Sequence, residues 1–268
     1  MIIVKEFPDR KFETKEELFT ALRENKADLI ATKKMQLKQA DSVFQVMPDV
    51  IKTNSNKAEE QTQDNVNSLK AELVINTTNI MDSHSDVHLK GIWNKTVKEQ
   101  KNIYLLQEHK MTFDHIISDN VSAKVVEMKW SDLGFNYKGM TEALIFDATI
   151  DKGRNPFMFE QYSKGYVKEH SVGMRYTKLE LAINSENKYD KEEKEVWDKY
   201  FDQIVNKEQA EEQGYFWAVQ EAKVIEGSAV VKGSNHATPT ISVEAVKDTP
   251  TTEPTEVTQS IKRKLSVI

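Results

Sequence analysis

A series of short strand-like segments between residues 71 and 231 constrains the fold of this chain more than any other feature. The segments are rich in β-branched and aromatic residues and are separated by polar turns, which is typical of β-sheet. Helical patterns interrupt the series at only a few points, so we expect a mainly β, α+β fold. A small antiparallel β-barrel or sandwich fits this pattern better than a doubly wound parallel sheet. The clearest segments are 71–76, 102–107, 123–130, 142–150, 166–183 and 215–231.

Two polar stretches set the predicted domain boundaries. Residues 52–70 have too few large apolar groups to offset the entropy of ordering the chain, and predict a flexible linker. Residues 237–268 are rich in Thr, Pro and Glu and predict a disordered tail. The main domain is then 71–236, preceded by an N-terminal appendage, 1–51.

Helical patterns occur in the appendage and inside the main domain. Thr14 and Glu17 form a capping-box motif that predicts one amphipathic helix reaching about residue 31. Residues 190–213 carry apolar side chains at spacings of three and four, and predict a single long helix that ends at Gly214.

Composition excludes several classes of function. The chain has no cysteine, which rules out disulfides, a thiol nucleophile and thiolate metal sites and fits a reducing compartment. The net charge of −6 argues against nucleic acid as the main partner. No apolar run approaches the roughly 20 residues that span a bilayer, and the N-terminus is charged too early for a signal peptide. We therefore expect a soluble cytoplasmic protein with no membrane and no specific nucleic-acid partner.

Metal and cofactor motifs are weak. One histidine pair lies in a turn-like segment and the other lacks a further ligand, so neither completes a metal site. The 9 glycines form no phosphate-binding or dinucleotide motif, and the sequence predicts neither a metal nor a cofactor. The pair in the turn-like segment is His84 and His88, with Asp82 and Asp86, and the other pair is His109 and His115, with Asp114.

A serine inside a strand-like run is the most informative candidate for catalysis. Ser171 is followed by Val172 and Gly173, and a glycine there would let substrate or backbone approach closely. His109 lies just beyond the strand 102–107, where a base can be presented at the end of a sheet. From spacing alone, a histidine at such a position is more often structural than catalytic, so the role of His109 stays open at this point.

Four motifs in the chain resemble those of the tailed-phage prohead (procapsid maturation) serine proteases. In chain order they are 76–96, 105–110, 165–174 and 220–237, and together they cover about residues 72–238. The second resembles the apolar strand that ends in the family's catalytic histidine, here His109. The third resembles its Leu-Ser-Ile-Gly-Phe box, with His170 and Met174 replacing Leu and Phe. The first lacks the family's Gly and Pro, and the segment 190–213 has the character of an insertion.

The resemblance implies both a fold and an activity. The implied fold is a small β-barrel with helices around it, like the herpesvirus assemblins. Ser171 would be the nucleophile and His109 the general base of a serine endopeptidase without a cofactor. Its substrates would be the phage scaffold protein, the propeptide of the major capsid protein and its own linker and tail. The protein would act as a homodimer inside the procapsid, in the host cytoplasm.

The third catalytic residue and the oxyanion donors each have more than one candidate. Glu221 and Glu226 are an odd number of residues apart, so in a regular strand only one can point at His109. We favour Glu221, because Glu226 precedes a glycine and is expected in a bulge or turn. Gly173, Arg175 and, less directly, Arg154 are the candidates for contacts with the substrate or the oxyanion. His170 neighbours the serine and so points to the opposite face, which predicts structural use.

Two other interpretations stay open. The first is a catalytically inactive capsid-assembly or scaffold-associated protein with the same fold. The second is a non-viral acyl hydrolase, which the absence of a Gly-x-Ser-x-Gly motif disfavours.

Overall fold

The computed structural model describes residues 1–37, 66–99 and 102–246. Within these ranges the chain forms two β-sheets and six α-helices, so the predicted α+β class is confirmed. The strands are β1 Ser68–Thr77, β2 Asp86–His88, β3 Tyr104–Gln107, β4 Ile116–Ser118, β5 Val121–Lys129, β6 Met140–Asp151, β7 Glu169–Ile183, β8 Tyr215–Val230 and β9 Thr240–Ala245. The helices are α1 Lys15–Glu24, α2 Lys26–Met35, α3 Asn94–Glu99, α4 Pro156–Ser163, α5 Lys191–Tyr200 and α6 Lys207–Gln213.

The two sheets do not close into the predicted barrel. The first has the strand order β5-β6-β1-β9 and is antiparallel throughout. The second is built on the long strand β8, which pairs with β7 along one edge. Along its other edge β8 pairs in parallel with β2 near its start and with β3 near its end. Between the two sheets the described residues show an isolated bridge, Glu169 of β7 with Pro239 just before β9, whereas a closed barrel needs continuous pairing to remove its edges.

The main apolar core lies between the sheets, and a glycine sets their spacing beside the end of β8. A Cβ built on Gly227 would lie 2.6 Å from the Phe146 ring and 3.1 Å from Ile75. Any larger residue would therefore push β8 away from the first sheet. Core side chains from both sheets include Leu73, Ile75, Phe146, Val172, Met174, Trp217 and Val219.

The N-terminal segment is part of this core rather than a separate appendage. Phe12, Leu18 and Leu22 are fully buried within the same cluster. Thr14 caps α1 as predicted, with its hydroxyl accepting from the Glu17 amide at 3.2 Å. The single predicted helix is in fact two, because the chain leaves helical geometry at Asn25 between α1 and α2.

A buried ion pair fastens α2 to the second sheet. The Lys33 ammonium lies 2.6 Å from Asp86 and 3.6 Å from Glu6, and its side chain is 9% exposed. Burial opposes the charge of Lys33, but the two carboxylates outweigh it and raise the pKa of the lysine. Asp86 also accepts from Tyr176 on β7 at 2.7 Å, so the pair ties α2 to both β2 and β7.

Replacing Lys33 with methionine is expected to destabilise the fold by about 3–5 kcal/mol, because it leaves the Asp86 carboxylate buried without its cation. Chemical denaturation of the two purified proteins measures this difference. The matched control is Lys90→Met, since Lys90 pairs with Glu127 at 2.7 Å on the exposed surface. That change should cost no more than about 1 kcal/mol. Equal effects of the two substitutions would contradict the structural role of Lys33.

The predicted helix 190–213 is divided into α5 and α6 by a 3₁₀ turn, Phe201–Gln203, and a short loop. Ile204 adopts extended geometry, and the amide of Val205 donates to the Asn79 carbonyl at 2.9 Å. The chain leaves the helix here because its backbone bonds to the loop after β1. Helix α5 packs against β7 and β8.

The predicted disordered tail begins too early. Ala237 and Thr238 are fully buried, and β9 pairs with β1. Apolar burial and a free edge of the first sheet order these residues despite their polar composition. The rest of that tail, 247–268, lies outside the described residues, as does most of the predicted linker. The linker also ends earlier than expected, because β1 begins at Ser68.

None of the helices in the described ranges has the length and apolar character that crossing a membrane requires.

Candidate active site

Strand pairing in the second sheet brings the predicted serine next to polar residues of β8. Ser171 lies directly opposite Ser228, and Gly173 lies opposite Glu226. Residues opposite each other on antiparallel strands, and residues two apart within a strand, project to the same face. These four residues therefore share one face of the sheet. Ser171 is 6% exposed there.

The predicted base, His109, follows strand β3, which pairs with β8 along the edge opposite to β7. Strand β3 pairs with β8 so that Leu106 is opposite Ser228, and the chain then turns sharply. Glu108 and His109 both have positive φ, 50° and 57°, and Lys110 donates back to the Gln107 carbonyl at 3.1 Å. This is the geometry of a type I′ turn, which glycine and asparagine usually occupy. The turn directs the chain back over β8.

Two hydrogen bonds to β8 hold this unusual backbone. The Glu108 amide donates to the Ala229 carbonyl at 3.0 Å, and the His109 amide donates to the Ser228 hydroxyl at 3.1 Å. Left-handed geometry costs about 1–3 kcal/mol at a residue other than glycine, so the surrounding structure must impose it. Such strained residues cluster at functional sites, and one of these two is the predicted base.

His109 and Glu226 form a buried pair on this face. Nδ1 of His109 lies 2.6 Å from Oε1 of Glu226, and the two side chains are 6% and 0% exposed. A carboxylate only accepts, so Nδ1 carries the donated proton and the lone pair of the neutral ring is at Nε2. The other carboxylate oxygen, Oε2, accepts from Ser228 at 2.6 Å. Both carboxylate oxygens are therefore engaged, and the contact with Oε1 holds the imidazole at Nδ1.

Gly173 provides the space that the Glu226 carboxylate occupies. A Cβ at this position would lie 1.8 Å from Oε1 of Glu226 and 2.6 Å from its Cδ. The sequence suggested a contact with substrate or oxyanion for this glycine. The structure instead places the carboxylate of Glu226 directly against it.

The preference for Glu221 as the partner of His109 is wrong. Glu221 is partly exposed and pairs with Lys95 at 3.1 Å, and hydrogen bonding to that lysine lowers the pKa of the carboxyl. A bulge does occur beside Glu226, at Ile225, but Glu226 itself stays in the strand opposite Gly173. The expectation that Glu226 would leave the strand was the source of the error.

The two predicted arginines lie further away. Arg175 is exposed on β7, four residues beyond Ser171, which is about 13 Å along a strand. Arg154 lies in the loop before α4, with its guanidinium 3.6 Å from Asp119. A part in oxyanion binding stays a prediction for Arg175, and the ion pair of Arg154 accounts for that side chain.

His170 has the internal contacts expected of a structural residue. Its Nδ1 lies 3.1 Å from the Thr238 carbonyl and so donates to it, while Nε2 accepts from the Tyr162 hydroxyl at 3.1 Å. Burial lowers the pKa of His170 to about 4, so the ring is neutral at neutral pH. Both nitrogens are engaged away from Ser171.

The remaining histidines also contact protein groups. His88 is buried, with its ring nitrogens 3.0 Å from Asn76 and 3.0 Å from the Tyr176 hydroxyl. His84 lies 3.5 Å from the Lys5 ammonium, and His115 lies 2.7 Å from Thr112. Across the described ranges, no group of three or more His, Cys, Asp or Glu side chains is arranged to hold a metal ion.

A small polar cavity, with room for about one water molecule, also adjoins Ser171. Its polar lining includes Asn76, Asp82, His84, His88, Tyr176, Ser234 and Asn235.

Ser228 is the one member of the site that the sequence did not single out. It follows Glu226 by two residues in a predicted strand, and that spacing places both on one face. A search for hydroxyl residues two positions from each candidate glutamate would have found it.

Comparisons of the chain with protein-family models, with curated proteins and with solved structures give no match in any of the three.

Proposed function

We propose that this protein is a serine endopeptidase in which Ser171 is the nucleophile, His109 the general base and Glu226 the group that orients the base. The observation that carries the proposal is the 2.6 Å contact between His109 Nδ1 and Glu226 Oε1, on the face of the sheet that Ser171 shares. A nucleophile, a base and an acidic group behind the base are the components of serine-dependent acyl transfer, whatever the fold.

In the proposed reaction, His109 transfers the proton of Ser171 to the leaving amine. Ser171 Oγ attacks the carbonyl carbon of a peptide bond while His109 Nε2 takes the hydroxyl proton. The imidazolium, stabilised by the Glu226 carboxylate at Nδ1, then gives that proton to the leaving amine, and the C–N bond breaks. This leaves an ester on Ser171. Water attacks the ester with His109 again as base, which releases the new carboxylate and regenerates the serine.

The developing oxyanion needs donors within about 3 Å. Backbone amides near Ser171 are the proposed donors, with Arg175 as an additional source of positive charge on the same strand.

The substrate and setting are proposed from the resemblance to prohead proteases. The protein would cleave phage scaffold protein and the propeptide of the major capsid protein inside the procapsid, in the host cytoplasm, and would act as a homodimer. It would also trim its own linker and tail, since a protease needs extended, unpaired backbone. The likeness to the assemblins is likewise a proposal about the strands around Ser171.

Mass spectrometry of wild-type protein and Ser171→Ala tests this proposal. The wild type is expected to show trimmed species that the variant lacks, because alanine has no hydroxyl to form the ester. A fluorophosphonate probe should add its mass to the wild type at Ser171 and leave Ser171→Ala unlabelled, which reports on the nucleophile without any substrate.

Ser122→Ala is the control, since Ser122 is an exposed serine in β5. It should be trimmed and labelled like the wild type. The same pattern of trimming in wild type and Ser171→Ala, together with no labelling of Ser171, would reject the proposal in favour of a catalytically inactive capsid-assembly protein.

A further inference from the structure

We propose that Ser228 is a positioning residue, whose hydroxyl joins the backbone of His109 to the carboxylate of Glu226 and so fixes the geometry of both. This inference rests on the proposed function, because it assigns Ser228 a role through the base–acid pair. Ser228 itself is not placed against substrate.

The Ser228 hydroxyl donates its single proton to the Glu226 carboxylate. Glu226 Oε2 lies 2.6 Å from the Ser228 oxygen, and a carboxylate can only accept, so the hydroxyl donates to it. The oxygen then accepts the His109 amide at 3.1 Å. One hydroxyl therefore bonds to two groups, the Glu226 carboxylate on β8 and the His109 amide in the turn after β3.

These two contacts restrain the strained backbone at His109 and the orientation of the Glu226 carboxylate. The His109 backbone is in the left-handed region, at φ 57°, and the Ser228 oxygen is the acceptor of its amide. Without it the amide loses that partner and the strained turn loses a restraint. At the same time Glu226 Oε2 loses a donor, so the carboxylate is free to rotate about the bond that aims Oε1 at the imidazole.

Burial and hydrogen bonding argue against Ser228 as the nucleophile. Its relative exposure is 0%, against 6% for Ser171, and its proton is committed to Glu226. The two serines lie opposite each other on β7 and β8, and it is the Ser228 hydroxyl that bonds to Glu226 and to the His109 amide.

The first test measures turnover by Ser228→Ala. We expect kcat per titrated active site to fall by about 10–100-fold with KM changed less than twofold, because misplacing a catalytic group by about 1 Å costs on the order of 100-fold in rate. Ser228→Thr keeps a hydroxyl and is expected to recover most of the loss. The matched control is Ser118→Ala, a buried serine on β4 whose hydroxyl donates to the Thr149 carbonyl at 2.6 Å.

The second test needs no peptidase activity. In a Ser171→Ala background, proton NMR of the imidazole should detect a slowly exchanging Nδ1–H signal of His109. We expect Ser228→Ala to abolish that signal and Ser118→Ala to retain it. Should the wild type prove inactive, the proposed function fails, while this measurement still decides whether Ser228 holds the pair.

An unchanged Nδ1–H signal or an unchanged kcat in folded Ser228→Ala would overturn the inference. If that variant does not fold, Ser228→Thr and Ser228→Cys are compared instead, since a thiol is the weaker donor. The inference expects the threonine variant to be the more active, and equal activity of the two would reject it.

Discussion

Glu226→Gln is expected to lower kcat/KM by about 10³–10⁴-fold, whereas the same change at Glu221 should alter it less than twofold. The carboxylate of Glu226 accepts two donors, one from His109 and one from Ser228. A glutamine amide has only one oxygen, so its NH₂ group must face one of those donors. If it faces His109, the ring proton moves to Nε2, and that nitrogen can no longer accept the proton of Ser171.

Glu221→Gln is the matched control because the chemical change is identical and the position lies on the same strand. Glu221 is partly exposed and pairs with Lys95, so its replacement removes only a surface ion pair. Rates are best compared with a peptide spanning a self-cleavage site, per titrated active site. Equal losses in the two variants, or a larger loss in Glu221→Gln, would refute the assignment of Glu226.

Gly173→Ala is expected to lower kcat/KM by about 100-fold or more, although it adds only one methyl group. The new Cβ would lie 1.8 Å from Glu226 Oε1, whereas ordinary contacts begin near 3.4 Å, so the carboxylate has to move by more than 1 Å. A displacement of that size at a catalytic group costs on the order of 100-fold in rate. The overpacking should also destabilise the fold by about 1–3 kcal/mol.

Gly153→Ala provides the comparison for Gly173→Ala. Gly153 has no positive φ, and the nearest atom to its added Cβ is the Asp151 carboxylate at 3.2 Å. Its replacement should leave activity unchanged. A double variant, Gly173→Ala with Glu226→Asp, adds a further test, because the shorter carboxylate relieves the clash. Its loss should be smaller than the sum of the two single losses, and full additivity would contradict the steric explanation.

Much of the second sheet was predictable because its information is local. The strand-like composition of 166–183 and 215–231, in which successive side chains would alternate between faces, predicted β7 and β8, and the apolar run 102–107 predicted β3. The same periodicity places Ser171 and Gly173 on one face of a strand. The prediction for His170 followed from the same rule, and its contacts with Tyr162 and Thr238 agree with it.

The errors arose where contacts distant in sequence override local composition. Residues 240–245 are polar enough to predict disorder, but β1 offers them an edge to pair with. The pattern of 190–213 predicts one helix, but the amide of Val205 bonds instead to Asn79. The barrel was predicted from strand number and resemblance, yet closure depends on which edges pair.

The strand patterns in the sequence place a serine and a glycine on one strand face and a histidine after an apolar strand, and they offer two glutamates as the partner of that histidine. The choice between the two glutamates came from the three-dimensional fold. That decision depends on the register of β7 against β8, which places Glu226 opposite Gly173, and on the parallel pairing of β3 with β8. The pair Gly173–Glu226 and the pair Leu106–Ser228 each join residues more than 50 positions apart. Such register is set by the packing of whole strands, and no local pattern around Glu221 or Glu226 encodes it.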